Sequence, residues 1–178
     1  MKPMDCCSTK SAKNAAESPA QDGPREACGA CRAPGRPVGR KTVLLMLKPE
    51  LLERAAEGEY RFCPDPDCRV VYFAGGGLSF STADLRVRVG LKEKEDPVPL
   101  CYCFGFDERD VREEIAREGR SSVPERISAL IKQGMCACPE RNPSGACCLG
   151  EVNRAVKRLM AAAAEAPQAG VTVEGVVP

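Results

Sequence analysis

The chain has 178 residues, and 26 lysines and arginines against 25 aspartates and glutamates give it a formal net charge of +1. This balance excludes the strong positive field with which proteins hold nucleic acid or anionic membranes. The chain has 12 cysteines and no histidine, which excludes Ser-His-Asp and Cys-His catalysis and His-Glu-x-x-His zinc hydrolysis. With few aromatic residues to build a core, so many cysteines indicate stabilisation by metals or disulfides.

Residues 1–26 predict a disordered tail, because they are polar and have no apolar period. They lack the apolar region of a signal peptide, and no segment approaches the ~18 apolar residues of a membrane span. We therefore expect a cytoplasmic protein whose cysteines stay reduced and bind metal. One tail motif, Met4-Asp5-Cys6-Cys7, is interpreted either as a soft-metal site or as two exposed thiols near the start of the chain.

Residues 27–98 predict a small zinc-binding subdomain with short antiparallel strands. The segment contains two close-spaced cysteine pairs: Cys28 with Cys31, and Cys63 with Cys68. Two such pairs brought together by a small sheet supply four thiolates, and a four-thiolate site without an open position binds structural zinc. The alternative is that the second pair consists of buried thiols beside the strands.

Other patterns place the elements of this first half. Strand-like composition occurs in three segments: 60–62, 70–73 and 85–89, the last with strict alternation of apolar residues and arginine. Thr42 predicts a cap for a short apolar helix, and residues 48–58 predict a further helical turn or two. The charged, proline-containing sequence "KEKEDPVP" predicts the boundary between the two halves.

Residues 99–162 predict a helical subdomain, followed by a flexible tail at 163–178. Paired polar residues predict capped starts for its first two helices: Asp107 with Asp110, and Ser122 with Glu125. Gly119 and Gly134 predict the ends of those helices, and a third amphipathic stripe begins at Leu149. The two halves together predict an α+β fold.

A C-x-C pair, Cys101 and Cys103, lies just before the first of these helices. Its spacing is too short for a usual zinc knuckle, but it suits a cluster that takes ligands on two different irons. The two intervening helices predict a hairpin that returns the distal cysteines to this pair. From spacing alone, the partners are Cys136 or Cys138, together with Cys147 or Cys148.

Two features favour an iron–sulfur cluster at this second site. Cys103 precedes a predicted helix and Cys148 opens another, and helix N-termini stabilise anionic ligands. Nearby glycines let backbone amides approach the sulfurs: Gly105, Gly145 and Gly150. The alternative is a second zinc, because all-cysteine sites also suit zinc.

The sequence "CYCFG", the two helices after it and a cysteine that opens a third resemble the [2Fe-2S] domains of bacterioferritin-associated ferredoxins. The stretch from "YRFCPDPDCRVVYF" to "CACPERNPSGACCLGEV" is similar to the N-terminal region of the CopZ copper chaperones, over about residues 27–158. The resemblance implies zinc on four residues and a [2Fe-2S] cluster on four more: Cys28, Cys31, Cys63 and Cys68 for zinc, and Cys101, Cys103, Cys138 and Cys148 for the cluster. Cys136 and Cys147 remain alternative cluster ligands.

The resemblance also implies electron transfer or copper handling, including reduction of Cu(II) to Cu(I). The implied partners are copper ions or a copper-transport protein and an unidentified redox partner. Because no histidine base exists to pair with a nucleophile, we do not expect an enzyme. No cysteine follows Cys148, so we do not expect the M-x-C-x-x-C heavy-metal domain that ends the full-length chaperones. The alternatives are a zinc-ribbon protein that binds nucleic acid through Arg86 and Arg88, or a zinc-stabilised adaptor without a redox role.

Overall fold

Two hydrophobic cores organise the part of the chain that the computed structural model describes, residues 27–55 and 57–165. Its helices and antiparallel strands confirm the α+β class. The tail predicted at 1–26, including Met4-Asp5-Cys6-Cys7, lies outside the described residues, as does everything after Glu165. Among the described helices, none is long and apolar enough to cross a membrane.

A four-stranded antiparallel sheet forms the centre of the first half. Its strands lie in chain order: β1 (Arg36–Val38), β2 (Tyr60–Phe62), β3 (Val70–Ala74) and β4 (Ser79–Ser81). Phe62, Tyr72 and Phe80 lie opposite one another on neighbouring strands, so their buried rings share one face of the sheet. They form a core with the apolar residues of helix α1 (Arg40–Met46).

The connections in this half agree in part with the sequence patterns. A 3-10 helix at Pro49–Arg54 occupies the region of the predicted helical turns. A second 3-10 turn, Gly75–Gly77, joins β3 to β4. Gly76 and Gly77 have φ angles of 70° and 79°, which glycine adopts without steric cost. Strands β2 and β3 confirm the strands predicted at 60–62 and 70–73.

The predicted strand at 85–89 is wrong. Leu85 forms one isolated bridge with Leu47, and the rest of the segment has no strand partner. Leu85 and Val89 are buried in the first core, while Arg86 and Arg88 lie outside it. The alternation therefore reflects an extended segment with one apolar face. Side-chain and backbone hydrogen bonds hold this segment, and it does not pair with a neighbouring strand.

The predicted cap at Thr42 is also wrong. Helix α1 begins at Arg40 after Gly39, so Thr42 lies inside the helix and is buried. Its hydroxyl donates to the carbonyl of Pro139 at 2.6 Å. The side chain therefore bonds to a distant loop and does not close its own helix.

The second half contains a two-stranded sheet and four helices. Their bounds are β5 (Pro99–Cys101), β6 (Phe106–Asp107), α2 (Glu108–Glu118), α3 (Val123–Lys132), α4 (Cys138–Arg141) and α5 (Leu149–Glu165). Helix α5 packs against both α2 and α3 and buries Val152 and Val156. It runs three residues past the boundary predicted at 162, since its run of alanines favours helix.

The helix ends in this half follow the predictions, with one exception. Asp107 and Asp110 form the predicted reciprocal capping box of α2, and Gly119 ends that helix with a φ of 70°. Ser122 precedes α3, but its side chain caps no helical amide. The predicted box with Glu125 is therefore wrong, because the amide and hydroxyl of Ser122 both donate to Glu114.

The boundary segment between the halves is held in place by Arg88. Its guanidinium donates to the carbonyls of Pro97 and Glu95 at 2.7 and 2.5 Å, and it pairs with Glu93 at 2.6 Å. Arg112 on α2 also pairs with Asp96 at 2.5 Å. The segment therefore folds back on itself and joins the halves closely.

Candidate metal centres

The first centre brings together the four cysteines predicted to bind zinc. The Sγ atoms of Cys28, Cys31, Cys63 and Cys68 all lie within 4.8 Å of one another. The distance from Cys28 to Cys68 is 3.9 Å, and that from Cys31 to Cys63 is 3.5 Å. Thiolates about 2.3 Å from a tetrahedral zinc lie roughly 3.8 Å apart, so the donor set fits this ion.

The first cysteine pair is held in a tight turn ahead of β1. The Cys28 amide donates to the carbonyl of Ala33, and the Arg32 amide donates to that of Cys28. Arg32 takes a φ of 66°, which closes the turn just after Cys31. The turn leaves Cys28 fully buried and Cys31 half-buried, with both sulfurs facing the second pair.

The second pair lies in the loop between β2 and β3. The Cys63 amide donates to Val71 on the neighbouring strand, so the sheet itself fixes this cysteine. Asp65 turns the loop by accepting at 2.9 Å from the Asp67 amide, and the Cys68 amide donates to the Asp65 carbonyl. Sheet pairing and a side-chain turn therefore hold the loop that carries both sulfurs.

The environment of this centre shifts the pKa of its thiols in opposite directions. Burial raises the pKa of Cys63. Burial also acts on Cys28, but backbone amides of Cys31 and Ala30 donate to its sulfur and leave its pKa lowered. Zinc binds the thiolate form, so these amides favour metal binding at neutral pH.

A second centre forms where the C-x-C loop meets the distal cysteines. The Sγ atoms of Cys103 and Cys138 are 3.7 Å apart. The Cys148 thiol lowers the pKa of both Cys101 and Cys138, so its side chain is a near neighbour of each. The amide of Ala137 donates to the Cys103 sulfur at 3.3 Å.

Burial distinguishes the four distal cysteines. Cys138 and Cys148 are each 2% exposed, whereas Cys147 is exposed and Cys136 is half-buried. The Cys148 carbonyl accepts from the amides of Glu151 and Val152, so this cysteine immediately precedes α5 as predicted. The Cys147 thiol also hydrogen-bonds to Cys138, so it lies at the edge of the same group.

The thiols of the second centre are strongly polarised by one another. Hydrogen bonding to Cys148 lowers the pKa of Cys138 to about 5 and that of Cys101 to about 7, against the effect of burial. The same bond to Cys101 raises the pKa of Cys148. Burial raises the pKa of Cys103 to about 11. The shifts therefore run in opposite directions, down for Cys101 and Cys138 and up for Cys103 and Cys148.

The two centres differ in the spread of their sulfurs. Within residues 27–55 and 57–165, the first centre is the one group of three or more thiols or carboxylates whose ligand atoms all lie within 4.8 Å. A single tetrahedral ion needs that compactness. The thiols of the second centre do not all meet this condition.

The sequence reasoning missed what holds the distal loop. The Tyr72 hydroxyl on β3 donates to the Pro143 carbonyl at 2.7 Å in a buried contact. Lys41 on α1 pairs with Glu140 at 3.1 Å, beside the bond from Thr42 to Pro139. The sequence did contain a signal for the Tyr72 contact, because a tyrosine in a buried strand usually needs a hydrogen-bond partner for its hydroxyl. The insert "PERNPSGAC" therefore docks on the first half.

These features define a class: a metal-thiolate protein with a four-cysteine zinc-binding domain at its N-terminal end. A family model described as the CopZ zinc binding domain matches residues 25–86, which contain all four cysteines of the first centre. The chain is 34% identical over 127 residues to the copper chaperone CopZ of Archaeoglobus fulgidus, covering 71% of this chain and 60% of that protein.

The solved N-terminal domain of Archaeoglobus fulgidus CopZ is similar in fold as well as in sequence. The TM-score is 0.61 at 32% identity, covering 72% of this chain and 96% of the solved one. This chain therefore belongs to the family of CopZ N-terminal domains, which confirms the resemblance to that family; the resemblance of its second half to bacterioferritin-associated ferredoxins stays a prediction. It spans 60% of the length of the full chaperone that it matches.

Proposed function

We propose that this chain carries structural zinc at the first centre and a [2Fe-2S] cluster at the second, and acts in electron transfer or copper handling. The observation that carries the proposal is the second convergence of thiols, around Cys101 and Cys138. Zinc at the first centre is supported by the match to the zinc binding domain and by the compact sulfur set. The proposed zinc ligands are those of the sequence analysis: Cys28, Cys31, Cys63 and Cys68.

The proposed cluster ligands are Cys101, Cys103, Cys138 and Cys148. When bound, a [2Fe-2S] cluster supplies one-electron chemistry. Cys101, Cys138 and Cys148 are buried, and two of them, Cys101 and Cys148, belong to the second core. Cys103 is half-buried, and Gly105 in the same loop is exposed. The chain therefore presents this edge to a redox partner.

Copper enters the proposal through the chaperone to which the chain is similar. A [2Fe-2S] cluster held by Cys101, Cys103, Cys138 and Cys148 would supply one electron for each Cu(II) reduced to Cu(I), and an external electron donor would have to replace that electron. The chain provides thiolates and hydrogen bonds for this exchange. We assign no catalytic residue and propose no enzymatic activity.

The test is anaerobic purification followed by metal analysis and visible spectroscopy. We expect zinc and iron in a ratio of about 1:2 and a red-brown protein. After reduction, addition of Cu(II) should restore the oxidised spectrum and produce Cu(I), detected with a Cu(I)-specific chelator. Cys101→Ser is the control and should lack both the colour and the copper reduction. A colourless protein with zinc at both centres would instead support the adaptor.

The alternative of nucleic-acid binding depends on Arg86 and Arg88 as its contact surface. Arg86 donates to the carbonyls of Leu47 and Leu44, and Arg88 holds the boundary segment. Both guanidinium groups therefore already bond within the chain. Salt-dependent binding of an oligonucleotide by the purified protein would restore this alternative.

A further inference from the structure

One short segment, Arg88–Lys92, contacts the cysteine loops of both centres. It begins three residues after Leu85, which is buried in the first core, and leads into the boundary segment. Its first residues bond to the C-x-C loop of the second centre, and its last residue bonds to the C-x4-C loop of the first. The side chain of Tyr102 makes the first contact and the side chain of Lys92 makes the second.

At the second centre the contact is made by Tyr102, the residue between Cys101 and Cys103. Its hydroxyl accepts from the Gly90 amide at 2.7 Å and donates to the Arg88 carbonyl at 3.1 Å. Gly90 is held closely, because a Cβ at this position would lie 1.9 Å from the carbonyl oxygen of Pro99. Hydrogen bonds to Tyr102 therefore hold the segment on one side. Close packing against Pro99, just before the C-x-C pair, holds it on the other.

At the first centre the contact is made by Lys92. Its Nζ donates to the carbonyl of Asp65 at 2.7 Å and to that of Cys68 at 3.0 Å. The same ammonium lies 5.8 Å from the centre of the Phe62 ring. These carbonyls belong to the loop that carries two of the four thiols, so Lys92 holds that loop from outside and places a positive charge beside it.

We propose that Tyr102 is a positioning residue for the first centre and acts through Gly90 and Lys92, so that the two centres are energetically coupled. The inference rests on the proposed assignment of zinc to the first centre. Loss of the Tyr102 hydroxyl frees the segment, the hold of Lys92 on the carbonyls weakens, and the loop opens more often to release its ion. Because such coupling is reciprocal, a change in the C-x-C loop alters zinc binding at the first centre, and zinc binding alters the C-x-C loop. The two centres are coupled in this way although they share no sulfur.

The experiment measures the rate at which zinc passes from the purified protein to a chromophoric chelator. Lys92→Met should accelerate release roughly tenfold, because it removes two charge-assisted hydrogen bonds. Tyr102→Phe should accelerate it roughly fivefold, as expected for one net hydrogen bond. The double variant should match Lys92→Met alone, since both changes break one pathway.

Two controls separate positioning from general damage. Lys132→Met removes the same charge from an exposed position at the end of α3, outside both cysteine loops, and should leave the release rate unchanged. Phe104→Leu alters the C-x-C loop without removing a bond to Gly90 and should do the same.

Unchanged release in Tyr102→Phe, or additive effects in the double variant, would overturn the inference. Zinc and iron contents, measured on the same samples, report separately on the proposed function. A protein with its expected metals and equal release rates would refute the coupling and leave that function standing.

Discussion

The Tyr72 hydroxyl donates a buried hydrogen bond of 2.7 Å to the carbonyl of Pro143. This bond joins the centre of the first sheet to the loop between Cys138 and Cys147. The loop also accepts a hydrogen bond from Thr42 of α1, and a Cβ added at Gly145 would lie only 3.2 Å from Val38 Cγ2. The loop that carries the distal cysteines therefore packs against a platform that the first half provides.

Tyr72→Phe tests this platform. The change keeps the ring in the core but leaves the Pro143 carbonyl without its donor, at a cost of about 1–3 kcal/mol. We expect the visible absorbance to be lost at lower denaturant concentration while zinc content at the start stays the same. Denaturation followed at a visible wavelength, with zinc measured in parallel, is the check. An unshifted midpoint would mean that the loop does not depend on this bond.

The two sets of cysteines should respond differently to mutation. Cys28→Ser or Cys68→Ser should unfold the first half, because structural zinc supplies folding free energy. Cys101→Ser should remove the visible spectrum and leave zinc largely bound. Metal content and circular dichroism of each variant provide the measurement, and loss of zinc and colour together in every variant would contradict two separate centres.

Cys147 and Cys148 form a matched pair of neighbouring thiols. Cys148 is buried beside Cys101 and Cys138, whereas Cys147 is exposed at the edge of the group. Cys147→Ala should therefore keep the cluster and its spectrum, and Cys148→Ala should lose both. The opposite result would show that the distal ligands are displaced by one residue from the proposed assignment.

Glu114 predicts a specific acid sensitivity. It is 8% exposed and accepts from the Ser121 hydroxyl and the Ser122 amide, at 2.9 and 2.7 Å, beside an ion pair with Arg126. Although burial opposes ionisation, these donors and Arg126 hold the pKa of Glu114 below its usual value. The unfolded chain has the ordinary pKa of about 4.3, so ionised Glu114 stabilises the fold above that pH. This stabilisation is lost as the pH falls through the lower, folded pKa.

The variant Glu114→Gln should flatten this part of the acid unfolding curve and lower stability at neutral pH by about 1–3 kcal/mol. The matched control is Glu113→Gln, an exposed neighbour on the same helix. Free energies of unfolding between pH 7 and acid would show the difference. Parallel curves for the two variants would mean that the Glu114 contacts add nothing to the pH dependence.

Gly90→Ala predicts a steric effect. The new Cβ would meet the carbonyl oxygen of Pro99 at 1.9 Å, so the segment or β5 must shift. Overpacking of this kind costs about 1–3 kcal/mol. Gly75→Ala is the control, because nothing lies within 4 Å of its added Cβ and its φ is ordinary. Thermal unfolding of the two variants compares them directly, and equal stability would argue against a tight contact.

The sequence predicts the structure best where interactions between residues close together in the chain determine it. The cysteine pairs of the first centre, the Asp107 cap and the stop at Gly119 depend on neighbours in the chain, and the structure has them as expected. The segment at 85–89 misleads because alternation reports one buried face, which an extended segment outside a sheet also has.

The remaining misses arise from contacts between distant residues. Ser122 has the sequence of a capping box, yet Glu114 from the preceding helix competes for its donors. Thr42 has the sequence of a cap, yet its hydroxyl bonds to Pro139. Local patterns carry no information on such competition, which is settled within the second half for Ser122 and by packing of the two halves for Thr42.

The bonds between the halves have a consequence for the order of assembly during synthesis. Thr42 and Pro139 are 97 positions apart in the chain, and Tyr72 and Pro143 are 71 apart. As the chain leaves the ribosome, both cysteine pairs of the first centre emerge long before the distal loop. The first half can therefore take up its metal and close while the rest is still being made. The loop that completes the second centre then arrives at a surface that is already folded.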